Sequence, residues 1–160
     1  MQSKLVTIAL GGMVLLAAAC GGTSSTSSAS PSPSPVATGT KIAVATNAKL
    51  GSILVDDKGM PVYLFVADTG KESTCYTNCA AIWPPVLTDG APQAGTGAQA
   101  SLLGTTTRTD GKVEVTYAGH PLYYFVKDKV AGDVTGQGIN GFGALWWVMS
   151  SSGAAIEVKP

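Results

Sequence analysis

The apolar positions of this chain fall in short runs, rich in β-branched and aromatic residues and broken by frequent Gly and Pro. From residue 41 onward the pattern predicts a mainly β domain. Ile53-Leu54-Val55 runs into Asp56-Asp57-Lys58-Gly59, a turn signal, and apolar residues resume over 61–66. Residues 113–117 do the same through a tight Ala118-Gly119 turn and continue over 121–126. Each stretch predicts a β-hairpin. Side chains alternate along a strand, so Tyr63, Phe65 and Ala67 share one face and Val62, Leu64 and Val66 the other. Both faces are apolar, which predicts a central strand; Lys127, in the place of Ala67, predicts that the second copy's strand ends in water. Leu145-Trp146-Trp147-Val148-Met149 predicts a further strand, and residues 42–45 and 155–158 predict edge strands. One short helix is expected over Cys75 to Ile82, capped by Ser73 or Thr74 and stopped by Pro84-Pro85.

The two hairpins contain one phrase used twice. Gly59-Met60-Pro61-Val62-Tyr63-Leu64-Phe65-Val66-Ala67-Asp68 is echoed by Gly119-His120-Pro121-Leu122-Tyr123-Tyr124-Phe125-Val126-Lys127-Asp128. A repeat of this size means one supersecondary unit used twice. An isolated hairpin is marginal in water. Two pseudo-symmetric hairpin repeats, one over about 50–90 and the other over about 108–153, are therefore expected to share a core as one small sheet or sandwich domain.

The amino-terminal segment changes the picture of where this domain works. Lys4 precedes an apolar stretch too short and Gly-interrupted for a stable spanning helix, ending Leu16-Ala17-Ala18-Ala19-Cys20. The ending resembles the lipobox of bacterial lipoproteins, with Ala17 where Leu is most often found. That resemblance implies a signal peptide over 1–19, cleavage before Cys20 and a diacylglyceryl thioether on its sulfur. Several buried acyl chains anchor far better than one, since each buried methylene contributes roughly 0.8 kcal/mol. Cleavage after Ala19 without lipidation would leave a free thiol, a liability outside the cell. Residues 20–40 are almost all Gly, Ser, Thr, Ala and Pro and predict a disordered tether. Residues 41–160 make a single β-rich domain. Without the signal peptide, nine Lys or Arg face ten Asp or Glu with no basic patch, which argues against a nucleic-acid partner.

The paired Tyr-x-Phe-x-x-Asp phrases, Cys75-x-x-x-Cys79-Ala80 with Trp83-Pro84-Pro85, and Gly136-Gln137-Gly138 before Trp146 resemble the bacterial secreted lipoproteins that carry a tandem Tyr-x-(Phe/Trp/Tyr)-x-x-Asp repeat. The resemblance covers residues 50–153. It implies a secreted, lipid-anchored protein and little about chemistry.

Cys75 and Cys79 are the sharpest candidates for chemistry. An exported compartment favours a disulfide between them. So short a loop stabilises by on the order of 2 kcal/mol. Closing it requires the helix to start late, because a strict helix strains the bridge. The competing reading is a thiolate site for copper, since soft thiolates suit Cu(I), completed by His120, Met60 or Met149. Against it, the exported copper proteins with this Cys spacing place a His shortly after the second Cys or a Pro directly after it. This chain has Ala80, then Ile82, Trp83 and Pro84. A covalent haem lacks the His it needs after Cys79.

His120 is the sole histidine. It sits at a turn, opposite Met60 of the other copy, and reads as an exposed polar residue or half of a His-Met pair. Asp68 and Asp128 invite an acid/base reading. Alternatively, each closes a strand by accepting backbone N–H bonds from the loop that follows, while Tyr63 and Tyr123 bond the same loop or the other copy's Asp. Calcium on Asp68, Asp128 and Asp133 lacks a recognised spacing. Adjacent Trp146 and Trp147 must point to opposite faces; with Trp83 and Tyr124 they either pack the core or expose a ligand surface.

The expected function is a non-catalytic binding or structural module at the cell envelope, extracytoplasmic and anchored through Cys20. Its partners are the membrane and an envelope protein or small ligand, with no resident cofactor. The alternatives are a small copper or electron carrier using Cys75 and Cys79, and an enzyme using Asp68 and Asp128.

Overall fold

Asp56 sets the first hairpin. Its Oδ1 accepts the N–H groups of Lys58 and Met60, each at 2.9 Å, and closes the turn that Gly59 completes at φ +81°. The computed structural model describes residues 38–158. The expected signal peptide, the expected lipidation site at Cys20 and the expected tether up to residue 37 lie outside the described residues. Gly39 and Thr40, placed by composition in the tether, bond to Ala91, Thr88 and Leu87 of the domain.

The described chain is mainly β. In order it forms β1 (Lys41–Asn47), β2 (Gly51–Asp56), β3 (Tyr63–Phe65), α1 (Asn78–Ile82), β4 (Gln93–Ala94), a short 3-10 turn (Ala100–Leu102), β5 (Leu103–Thr107), β6 (Val113–Tyr117), β7 (His120–Pro121), β8 (Asn140–Gly141) and β9 (Ala144–Val148). The strands make three three-stranded sheets, ordered β2-β1-β4, β3-β9-β8 and β5-β6-β7. In the second hairpin Ala118 and Gly119 both have positive φ, 51° and 83°, as a two-residue turn with the right-handed strand twist requires.

Both hairpins open just beyond their turns, and each gap is filled from the other repeat. In the first, Val62 N–H donates to Leu54, Leu54 N–H to Met149, and Met149 N–H to Val62, at 3.2, 2.8 and 3.2 Å. In the second, Leu122 N–H donates to Val115, Val115 N–H to Val86, and Val86 N–H to Leu122, at 3.0, 2.8 and 2.8 Å. Met149 ends the Trp146-Trp147-Val148 run of repeat two, and Val86 ends the Trp83-Pro84-Pro85 run of repeat one. The repeats therefore exchange their last extended segments, β9 with Met149 from repeat two and the bridged residues around Val86 from repeat one. Tyr63 and Tyr123 mark the pseudo-twofold axis: each backbone N–H donates to the other's C=O, at 2.8 and 3.0 Å.

Period-two alternation sorts the core into an aromatic and a mostly aliphatic cluster. Tyr63, Phe65, Trp83, Tyr123, Phe125, Trp146 and Val148 fill the first with the two cysteines. Val62, Leu64, Val86, Val115, Leu122, Trp147 and Met149 fill the second. Trp146 and Trp147 point to opposite faces and both are buried, one in each cluster. Trp83 stacks on Trp146 with ring centroids 4.0 Å apart and planes 4° from parallel, joining the repeats across the axis.

Four details differ from the sequence-based expectations. Strand β1 is not an edge, because β4 pairs with it in parallel on the side away from β2. Residues 155–158 make a single bridge, Met149 with Ala155, and no strand; Gln137 holds the carbonyls of Ile156 and Val158. The helix is not capped by Ser73 or Thr74, which are drawn into side-chain bonds elsewhere; it begins at Asn78, the late start that the bridge requires, after Thr77 turns the chain at φ 48°. Val66 leaves the apolar face expected for it and is 47% exposed where β3 ends.

Candidate functional site

The repeated Asp and Tyr meet in reciprocal pairs across the axis. Tyr63 Oη donates to Asp128 Oδ2 at 2.6 Å, and Tyr123 Oη donates to Asp68 Oδ2 at 2.6 Å. The other carboxylate oxygen holds the following loop. Thr74 gives Asp68 Oδ1 its N–H and hydroxyl at 2.8 and 2.6 Å, and Thr135 gives Asp128 Oδ1 the same pair at 2.9 and 2.5 Å. Both carboxylates are buried. Burial first, and the Asp128 hydrogen bond second, push the Tyr63 hydroxyl well above its usual pKa. Burial, then the charge of Glu114 and the Asp68 bond, do the same to Tyr123. Such phenols stay protonated and serve as donors.

The sites differ in what surrounds them. Tyr123 Oη also lies 2.7 Å from Ser73 Oγ, which accepts from Arg108 Nη1 at 2.7 Å. Arg108 Nη1 reaches Glu114 Oε2 at 2.7 Å, and Nη2 donates to the Cys75 carbonyl at 2.7 Å. The guanidinium lies over the Tyr76 ring, 4.4 Å from its centroid. This buried network fastens the cysteine loop of repeat one to the hairpin of repeat two. Burial pushes the Glu114 carboxyl up to about 7, against the opposing pull of Arg108. Neither Arg108 nor Glu114 stands out in the sequence. The signal lay in aligning the hairpins: Leu54 and Val115 hold the same place in the two bond rings, so Glu114 stands where repeat one has Ile53.

Cys75 and Cys79 form a disulfide across 5.2 Å between Cα atoms, and both are buried. In that state neither sulfur is a thiolate ligand. His120 instead lines a surface cleft with Val66, Asp68, Ala155 and Glu157, and its Nδ1 is buried without a partner. Neither Met60 nor Asp128 lines that cleft; Met60 sits at the other turn, next to Gly59, whose C=O accepts from Gly132. Asp133 accepts the N–H groups of Lys129 and Val130, which hold its carboxyl below the usual range. Among the described residues, no group of three or more His, Cys, Asp or Glu side chains is placed to hold a metal ion. Tyr124 donates to Asp56 at 3.1 Å and so ties the second strand to the first turn.

A family model described as a secreted repeat of unknown function matches residues 44–87 and 104–150, together more than half of the chain. The chain belongs to that family. The matched segments end just after Val86 and Met149, so each secreted repeat contains the strand that it gives to the other. No curated protein and no solved structure matches the chain. Among the described residues, no helix is long and apolar enough to cross a membrane. A secreted repeat fits an extracellular module, and every polar atom of its repeated Tyr and Asp side chains is engaged within the domain.

Proposed function

We propose that this protein is a non-catalytic binding or structural module held at the cell envelope by a lipidated Cys20. The observation that carries the reading is the reciprocal Tyr–Asp pairing. Both oxygens of Asp68 and of Asp128 accept protein donors, and both tyrosine hydroxyls donate to them. A general acid or base must present a free lone pair or proton to a substrate. Here those atoms hold loops, so the repeated phrase reads as scaffold. The anchor follows from the small residues before Cys20.

Two measurements test this. Mass spectrometry of the amino-terminal peptide from the membrane fraction should show a diacylglyceryl adduct on Cys20, and Cys20→Ala should move the folded domain to the soluble fraction. An unmodified wild-type protein found only in the medium would overturn the anchor. Asp68→Asn and Asp128→Asn should lower thermal stability without abolishing partner binding measured below their melting temperatures; loss of function in a folded Asn variant would return the acid/base reading to the front.

A further inference from the structure

The repeats agree closely until their outer edges are compared. Leu54 and Val115 hold equivalent places, and opposite them stand Val44 on β1 and Thr105 on β5. The same register matches Ile42 with Leu103 and Ala43 with Gly104. The outer edge of β1 is covered. Lys41 and Ile42 pair in parallel with Gln93 and Ala94, Gly95 N–H donates to the Ile42 carbonyl at 2.7 Å, and Val44 N–H donates to the Thr96 carbonyl at 2.8 Å. The covering segment lies close: a Cβ on Gly95 would come within 2.8 Å of the Ala43 Cβ, and one on Gly97 within 2.9 Å of the Val44 Cβ.

The outer edge of β5 has no such cover. Val115 directs its N–H to Val86 and its C=O to Leu122, away from β5. Thr105, opposite Val115, therefore points its own N–H and C=O outward. Among the described residues nothing pairs with that edge. Thr105 and Thr107 are exposed, and Leu103-Gly104-Thr105-Thr106-Thr107 contains no charge and no proline. These are the devices with which natural sheets blunt a free edge. The shapes also match. Thr105 has nearly the outline of Val44, and Gly104 is smaller than Ala43, so a segment that fits β1 meets no added bulk on β5.

We propose that the outer edge of β5 is a strand-addition site for an extended segment of a partner protein, rich in Gly, Ala and Thr. It would lie in parallel register, as residues 93–97 lie on β1. The main chain supplies the attraction, and alternate small residues let the strand approach. The inference rests on the reading of this protein as a binding module and names the chemistry of its partner.

The test uses the full-length chain and a blocked synthetic peptide of residues 90–99 as the probe, with amide hydrogen exchange read by NMR. In the free protein, Gly104 and Thr106 should exchange slowly and Thr105 rapidly. At millimolar peptide, Thr105 should slow by about tenfold or more. A peptide with Gly95→Pro loses the N–H that would meet the Leu103 carbonyl and should have no such effect. Four results overturn the proposal: no slowing at millimolar peptide, equal slowing by the proline peptide, protection of Thr105 already present in the dilute free protein, or protection that rises with protein concentration alone. The third assigns the edge to the chain's own amino-terminal segment and the fourth to a second copy. None of these results bears on whether Cys20 is lipidated, so a failure here is distinct from a failure of the anchored-module reading.

Discussion

Tyr63 holds Asp128, and Tyr123 holds Asp68, each through one 2.6 Å hydrogen bond from a phenol to a buried carboxylate. The pairs join opposite repeats, so a residue of one copy completes the loop anchor of the other. Removing a donor leaves a buried carboxyl oxygen unpaired, which costs more than the bond itself contributes.

Tyr63→Phe and Tyr123→Phe should each destabilise the domain by about 1–3 kcal/mol. Thermal melts should rank Tyr123→Phe as the worse, because its hydroxyl also contacts Ser73 at 2.7 Å and through it Arg108, whereas the second contact of the Tyr63 hydroxyl is a longer 3.3 Å bond accepted from the Gly136 N–H. A melting temperature unchanged in both variants would remove the lock from the account.

Stability should fall as pH rises through the range in which Glu114 ionises. Its folded-state value of about 7 lies above its ordinary 4.5, so the native protein binds the proton more tightly than the unfolded chain. The favourable contribution is fully present below about 4.5 and is lost as pH rises through about 7. The change is on the order of 3 kcal/mol over that window. Urea melts from pH 4 to 8 should show the decline, and Glu114→Gln should flatten it. Arg108→Met should do the opposite of a rescue: it leaves Glu114 buried without its partner and should destabilise most at high pH.

Reduction of the Cys75–Cys79 bridge should cost on the order of 2 kcal/mol, since the loop it closes is short. Both sulfurs are buried, so reductant should act slowly on the native protein and quickly in denaturant. Cys75→Ser with Cys79→Ser should melt lower than the oxidised parent and be indifferent to reductant.

Fragments 38–98 and 99–158 should each fail to fold alone and regain β-sheet circular dichroism on equimolar mixing. Each carries a hairpin whose gap is filled by Met149 or Val86 of the other. Independent folding of either fragment would show that the exchanged strands contribute little.

Local patterns were legible in the sequence, and long-range pairings were not. The two turns, the alternation through Tyr63 and Phe65, and the cysteine loop follow from neighbours a few residues apart. The sequence allows Tyr63 and Tyr123 either the loop of their own copy or the Asp of the other, because only the tertiary axis decides between them. Strand β1 reads as an edge since nothing in Gln93 and Ala94 looks like a strand; they pair with Lys41 and Ile42 because Gly95 and Gly97 let the segment that follows pass close to Ala43 and Val44. Glu114 reads as a solvated position in an alternating strand until Arg108, six residues earlier, is seen folded beneath it.

The traded strands also fix how such a domain responds to dilution. A chain with one of these repeats would have a vacant slot and a spare strand, and could satisfy both only by finding a second copy. Its folding would obey mass action and fade at low concentration. Placing both repeats in one chain makes that encounter intramolecular, so the fold holds even for a solitary molecule outside the cell.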